Sequence, residues 1–206
     1  MQLLETIKCK DGKLYNLEYH QARFDVARMK FFPDAPKLKL EELIEIPESC
    51  TVGLFRCRVV YAEQVEKIEF LPHQYRSFNS IRLIEDNSIE YRCKYTDRQQ
   101  LQDLYEQRGN YDDILIVQNN CITDSFTANP IFFDGQKWWT PDTPLLPGTQ
   151  RARLLAENKI SVCRITVNDL NNYQKMGLIN ALQDMDDMPV LPVERIRINP
   201  ITNPNG

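Results

Sequence analysis

CITDSFTANPIFFDGQKWWTPDTPLLPGTQRAR, residues 121–153, reads as a strand ending at an acid, Asp124, followed by an Asn-led bend, a hairpin and a Gly148-Thr149 turn that opens a helix. β-prone residues on both sides of Asp134-Gly135 signal a hairpin with a type I′ turn. A glycine before Thr149 at a helix start leaves backbone N–H groups to meet an anion. Such a layout can hold an anionic cofactor at both ends, with a carboxylate for a cationic ring and N–H groups for a phosphate. Asp124 between Thr123 and Ser125 is equally a good turn residue, and an isolated Gly-Thr is a weak signal.

Outward from this stretch, a second Asp-Gly turn, Asp11-Gly12, joins LLETIKCK to KLYNL. Leu17, Phe24 and Ala27 lie near helical spacing in LEYHQARFDVARMKF. Strands follow in CTVGLFRCRVVYA and EKIEFLP, giving an α+β N-terminal unit over residues 1–73. The second unit, residues 74–206, opens with a strand in SIRLIED. A helix is expected through DRQQLQDLYEQR, with Thr96 or Asp97 as N-cap, Leu101, Leu104 and Tyr105 as its apolar stripe, and Gly109 past its end. Then come a buried strand, DILIVQ, and an Asn119-Asn120 turn. Beyond the opening stretch we expect a helix from Gly148 to Asn158, a strand in ISVCRIT, a further helix around NDLNNYQKMGLINALQ, a strand in PVERIRI and a loose tail, NPITNPNG.

A net charge of −4 and a pI near 5.3 lack the basic footprint of a nucleic-acid protein. No apolar run approaches membrane-spanning length. Glu5 and Lys8 interrupt the N-terminal stretch where a secretory signal needs an unbroken apolar core, so a cytoplasmic location is expected. The six cysteines are scattered without a C-x-x-C pair, and there are two histidines. Reduced, buried thiols and no metal site follow as expectations.

Lys94 sits where the extended segment IEYRCKY gives way to a helix. An enclosed lysine there can lose its proton and form a Schiff base with an aldehyde, although an arbitrary lysine is ordinarily a solvated surface group. Arg23, three residues after His20, can clamp a phosphate with its planar fork, while an exposed helical arginine is the common case.

The order of the motifs is more specific than any one of them. His20-Gln-Ala-Arg23, Lys94-Tyr-Thr-Asp-Arg98, Ile122-Thr-Asp124 with Asn129, Thr140-Pro141, Leu146-Pro-Gly148-Thr149-Gln150-Arg151 and Asn180-Ala-Leu182 follow one another in register. The chain resembles the class IV aminotransferases, the fold-type IV pyridoxal-phosphate enzymes, over roughly Leu3 to Val193; Leu4-Glu5-Thr6-Ile7 is similar to the family's F-E-T-I strand. The resemblance implies an α+β, two-domain fold: a small N-terminal α/β sandwich and a larger, barrel-like C-terminal α/β domain. It implies pyridoxal 5′-phosphate as cofactor, a small-molecule amino substrate and a homodimer.

By the same resemblance, Lys94 bonds the cofactor and shuttles the proton, and Arg23 grips the phosphate. Gly148, Thr149 and Gln150 complete the phosphate cup, and Asn180 adds a further contact. Asp124 stands where most members carry a glutamate facing the pyridine nitrogen, one methylene longer. Two reactions are implied: 4-amino-4-deoxychorismate lyase, yielding 4-aminobenzoate and pyruvate, and amino-acid aminotransferase of the branched-chain or D-amino-acid type. Lys94-x-x-x-Arg98 before a helix and Asn180-Ala-Leu182 favour the lyase. Arg98 is a candidate partner for a substrate carboxylate, and equally for a helix cap or salt bridge.

Overall fold

The computed structural model describes residues 1–197, so the tail expected to be loose, residues 199–206, lies outside the described residues. Strand β1 (Leu3–Lys10) turns through Asp11 and Gly12, both at positive φ, into β2 (Lys13–Leu14). This is the two-residue type I′ turn that Asp-Gly favours. Helix α1 (Leu17–Phe31) and the short α2 (Leu40–Leu43) precede β3 (Leu54–Tyr61) and β4 (Val65–Pro72). The strands form one antiparallel sheet in the order β2-β1-β3-β4. Because side chains alternate along a strand, Leu3, Ile7, Cys57 and Val59 face α1 and pack on Phe24 and Ala27. Leu4, Thr6, Arg56 and Arg58 belong to the opposite face and line a cavity.

The chain continues through β5 (Ile81–Glu85), α3 (Gln99–Glu106), β6 (Asp113–Gln118), β7 (Cys121–Ser125), β8 (Asn129–Phe133) and β9 (Trp138–Pro141). It ends with α4 (Thr149–Ala156), β10 (Ile160–Cys163), β11 (Lys175–Ile179), β12 (Val190–Pro192) and β13 (Ile196–Arg197). Two more sheets result, ordered β13-β5-β6-β7 and β10-β9-β8-β11-β12. Leu83, Leu115, Val117 and Ile122 of the first meet Phe132, Met176, Leu178 and Leu191 of the second in one core. The fold is α+β.

Four local expectations are corrected. Residues 168–183 are not a helix: a 3₁₀ turn, Val167–Asn172, leads into β11. Met176, Leu178 and Ile179 are almost fully buried and pair with β8. A strand buried on both faces shows no period-2 pattern, so its apolar run imitates a buried helix segment. The hairpin at Asp134-Gly135 exists, but Phe133 pairs with Trp138 across four loop residues, and only Gly135 has positive φ there. The Asp134 carboxylate folds this wider loop by accepting from the Gln136 and Lys137 N–H groups at 2.8 and 2.9 Å and from Trp139 Nε1 at 2.7 Å. Helix α3 starts at Gln99, with Arg98 and not Thr96 or Asp97 at the N-cap position; Asp97 still accepts the Gln99 N–H at 3.0 Å. The segment PVERIRI divides between β12, a 3₁₀ turn and β13, which pairs in parallel with β5.

Candidate active site

A cavity of about 570 Å³ opens between the N-terminal sheet and the other two, within the usual range for small-molecule sites. Arg23, Lys94, Arg98, Asp124, Gly148, Thr149 and Asn180 all line it. Lys94 stands in the loop between β5 and α3, which is tied to β1: the Leu4 N–H donates to the Lys94 carbonyl at 2.8 Å. Burial, reinforced by the positive charges of Arg23 and Arg98, pulls the Lys94 pKa down to about 7 against the opposing pull of Glu5 and Asp124. At neutral pH a large fraction of its amine is unprotonated and nucleophilic.

Asp124, on β7, is 6% exposed. Its Oδ1 accepts from Asn129 Nδ2 at 2.8 Å and its Oδ2 from the Leu146 N–H at 2.9 Å. Burial nevertheless pushes its pKa up to about 7, and an incoming cation would favour its charged form. Asn129 bridges from this acid to the head of α4. Its Nδ2 also donates to the Leu146 carbonyl at 3.0 Å, and its Oδ1 accepts the Gly148 N–H at 3.1 Å. A Cβ on residue 148 would overlap Asn129 Oδ1, so the close approach requires glycine. Helix α4 therefore begins with its first N–H groups, which have no intrahelical acceptor, at the cavity wall.

Arg23 reaches the cavity in a forked ion pair. Its Nε and Nη2 donate to Glu5 Oε1 and Oε2 at 2.8 and 2.6 Å. The buried His20 Nδ1 lies 2.6 Å from Glu5 Oε2, and its Nε2 lies 3.3 Å from Thr149 Oγ1. Glu5 is held at about pKa 2, because the attraction of Arg23 and the hydrogen bonds from His20 and Arg23 outweigh burial. Burial lowers the His20 pKa. A neutral imidazole beside an ionised carboxylate carries its proton on Nδ1, which leaves Nε2 to accept from the Thr149 hydroxyl. One chain of hydrogen bonds thus runs from Arg23 to the head of α4.

Gln150 does not reach the cavity. Its buried Oε1 accepts from Asn16 Nδ2 at 2.8 Å, joining α4 to the start of α1, and its Nε2 has no partner among the described residues. Asn180 is turned onto its own bend, with Oδ1 accepting the Leu182 and Gln183 N–H groups at 2.9 and 3.1 Å. The Arg98 side chain makes no capping bond, although its backbone stands at the N-cap position of α3. It donates through Nη2 to the Phe126 carbonyl at 2.6 Å and lies 4.5 Å from the Phe126 ring centre, with its buried Nε unpartnered among the described residues. Asp113 is a second buried acid on the cavity wall, raised to about 6 by burial.

A family model described as amino-transferase class IV matches residues 2–196. The chain belongs to this family. A Haemophilus influenzae protein described only as uncharacterized is 36% identical over 185 residues, spanning 89% of this class IV chain and 98% of its own length. The crystal structure of a candidate 4-amino-4-deoxychorismate lyase from Haemophilus somnus matches with a TM-score of 0.85 at 33% identity, covering 89% of this chain and 97% of that one. A hypothetical aminotransferase from Mycobacterium tuberculosis in its PLP-bound form shares the fold, with a TM-score of 0.74, 16% identity and coverage of 97% and 84%. The class IV chain is an enzyme of mixed sheets with few helices. In the sequence, His20, Asn129 and Glu5 stand only as letters of a pattern. Their roles as connectors needed distances, although H-x-x-R spacing does place His20 and Arg23 on neighbouring positions of one helix face.

Proposed function

We propose that this class IV enzyme is a pyridoxal-phosphate-dependent 4-amino-4-deoxychorismate lyase that releases pyruvate and leaves 4-aminobenzoate. The observation that carries the reading is Lys94, an amine drawn to a pKa of about 7 inside a cavity that also presents Asp124, Arg23 and the head of α4. These residues fit pyridoxal phosphate: a free amine for its aldehyde, an acid for its ring nitrogen, and N–H groups with an arginine for its phosphate. The glycine that Asn129 demands at residue 148 keeps side-chain bulk away from that last position. When bound, the cofactor supplies an electron sink for charge left on the carbon bearing the amine.

Lys94 Nζ takes the proton from C4 of the substrate, the carbon carrying the amine. Loss of that proton with departure of the enolpyruvyl oxygen from C3 makes the ring aromatic, and the released enol takes a proton at carbon to give pyruvate. Atoms and electrons balance without an outside oxidant. Asp124 would hold the positive charge of the ring nitrogen, while Arg23 and the N–H groups of Thr149 and Gln150 would hold the phosphate. Asn180 borders the same cavity. Arg98, with donors to spare, receives one substrate carboxylate. The name carried by the Haemophilus somnus relative supports the lyase over the aminotransferase.

The proposal includes a homodimer in the cytoplasm, with residues 1–73 and 74–206 as the two domains. Among the described residues, no helix is long and apolar enough to cross a membrane.

The test is direct. Purified protein mixed with 4-amino-4-deoxychorismate should release pyruvate and 4-aminobenzoate together. Lys94→Ala should lose the visible absorbance of the bound cofactor and about 10²–10⁴-fold or more of the rate. Transfer of an amino group to 2-oxoglutarate, with no pyruvate formed, would replace the lyase by the aminotransferase.

A further inference from the structure

The cavity face of the N-terminal sheet carries an unusual concentration of positive charge. Lys8 on β1 is the Cα partner of Arg56 on β3, and Thr6 is the partner of Arg58. Like charges directly opposite one another across a sheet are destabilising. Two of the three cations have anionic partners: Lys8 Nζ donates to Asp187 at 3.1 Å, and Arg58 pairs with Glu69. Among the described residues Arg56 makes no side-chain hydrogen bond or ion pair. The segment after β4 brings two more basic groups to the same corner. The His73 N–H donates to the Leu54 carbonyl at 2.9 Å, which extends the sheet by one bond, and Arg76 follows on the cavity wall. Burial and the charges of Arg56, Arg76 and Lys8 hold the His73 pKa down, which places these three cations within electrostatic reach of the His73 ring. Asp113 is the acid that feels Arg76.

This corner is remote from the reacting lysine. The Lys94 carbonyl is bonded at the level of Leu4, and Arg56 lies at the level of Lys8. Four residues of strand separate those levels, about 13 Å between backbones, and Lys94 and Arg56 both line the cavity.

We propose that Arg56, His73 and Arg76 form a distal anion subsite that receives a second carboxylate of the substrate, on the far side of its ring from the amine. This assignment rests on the lyase reading for its substrate class, small cyclic dicarboxylates, and it makes Arg56 and Arg76 determinants of specificity. Arg98 serves the near carboxylate and this corner the far one. A monocarboxylic amine leaves the corner unmatched.

Titration calorimetry on the purified full chain tests the subsite without turnover, using benzene-1,3-dicarboxylate and benzoate as probes. The dicarboxylate should bind about tenfold or more tightly than benzoate, as expected for an added charge-assisted contact. Arg56→Gln with Arg76→Gln should bring the two to within about twofold, and Arg56→Lys should retain part of the preference because the charge remains but the fork is lost. Both arginines are exposed, and an unchanged melting temperature verifies that the variants fold. Equal affinities in the unsubstituted protein, no binding of the dicarboxylate, or a preference that survives the double substitution would each overturn the subsite. The pyruvate assay separates the two ideas. A dicarboxylate preference without pyruvate release keeps the subsite and removes the lyase, whereas pyruvate release with equal probe affinities does the reverse.

Discussion

Lys94 and Asp124 are displaced from ordinary values in opposite directions and arrive near the same pH, about 7. An amine and an acid both poised there can each exchange a proton under neutral conditions. Uptake of pyridoxal phosphate should therefore rise as pH passes upward through about 7, where a surface lysine would respond only toward its ordinary 10.5. Visible absorbance recorded from pH 6 to 9 checks this; a midpoint near 10 would contradict the buried amine. The two groups act oppositely on stability. Lys94 binds fewer protons folded than unfolded between about 7 and 10.5, so its contribution rises with pH across that window. Asp124 binds more protons folded than unfolded between 3.8 and about 7, so its contribution falls as pH rises there. Asp124→Asn should flatten the stability profile from pH 4 to 7 in urea titrations. It should also weaken cofactor retention by removing the charge opposite the ring nitrogen.

Among the elements, α4 depends most on one close contact. Its N-cap, Gly148, has an ordinary negative φ, so glycine is required there by the approach of Asn129 and not by backbone conformation. Gly148→Ala must displace Asn129, which also holds Asp124 and Leu146. The cost should be about 1–3 kcal/mol in urea unfolding, the range for overpacking, with a matching fall in affinity for the phosphate-bearing cofactor. An unchanged midpoint would mean that Asn129 has room to move. Two-residue turns behaved as their residues predict: Asn119 and Asn120 both adopt positive φ between β6 and β7, as do Asp11 and Gly12 between β1 and β2. Asp134-Gly135 did not, because the Asp134 carboxylate found three local N–H donors and stabilised a wider loop. That competition between side chain and backbone is not visible in a dipeptide.

Across the whole molecule, Glu5 connects the parts. It is fully buried, pairs with Arg23 and His20 of α1, and through His20 reaches Thr149 of α4. Its folded pKa of about 2 lies below the ordinary 4.5, so its stabilisation is present above 4.5 and is lost as pH falls toward 2. Glu5→Gln leaves Arg23 without its counter-charge and should cost about 3–5 kcal/mol at pH 7, as for breaking a buried pair. The deficit should shrink in acid. A constant deficit from pH 7 to pH 3 in urea titrations would show that the charge of Glu5 is unimportant.

Much of the fold and the order of the site motifs were legible in the sequence, because strand alternation, Asp-Gly turns and helix-start residues are local consequences of backbone geometry. The strands around Cys121–Arg153 and the helix beginning at Thr149 are of this kind, whereas Lys94 stood out only through the family resemblance. Strand β11 was hidden, since its burial on both faces erased the period that separates strand from helix. The direction of Gln150 toward Asn16, the assembly of Arg56, His73 and Arg76 at one corner, and the pKa values of Lys94 and Asp124 were decided only by tertiary structure. Desolvation and charge proximity depend on distances between residues far apart in the chain, and local sequence carries no record of those distances.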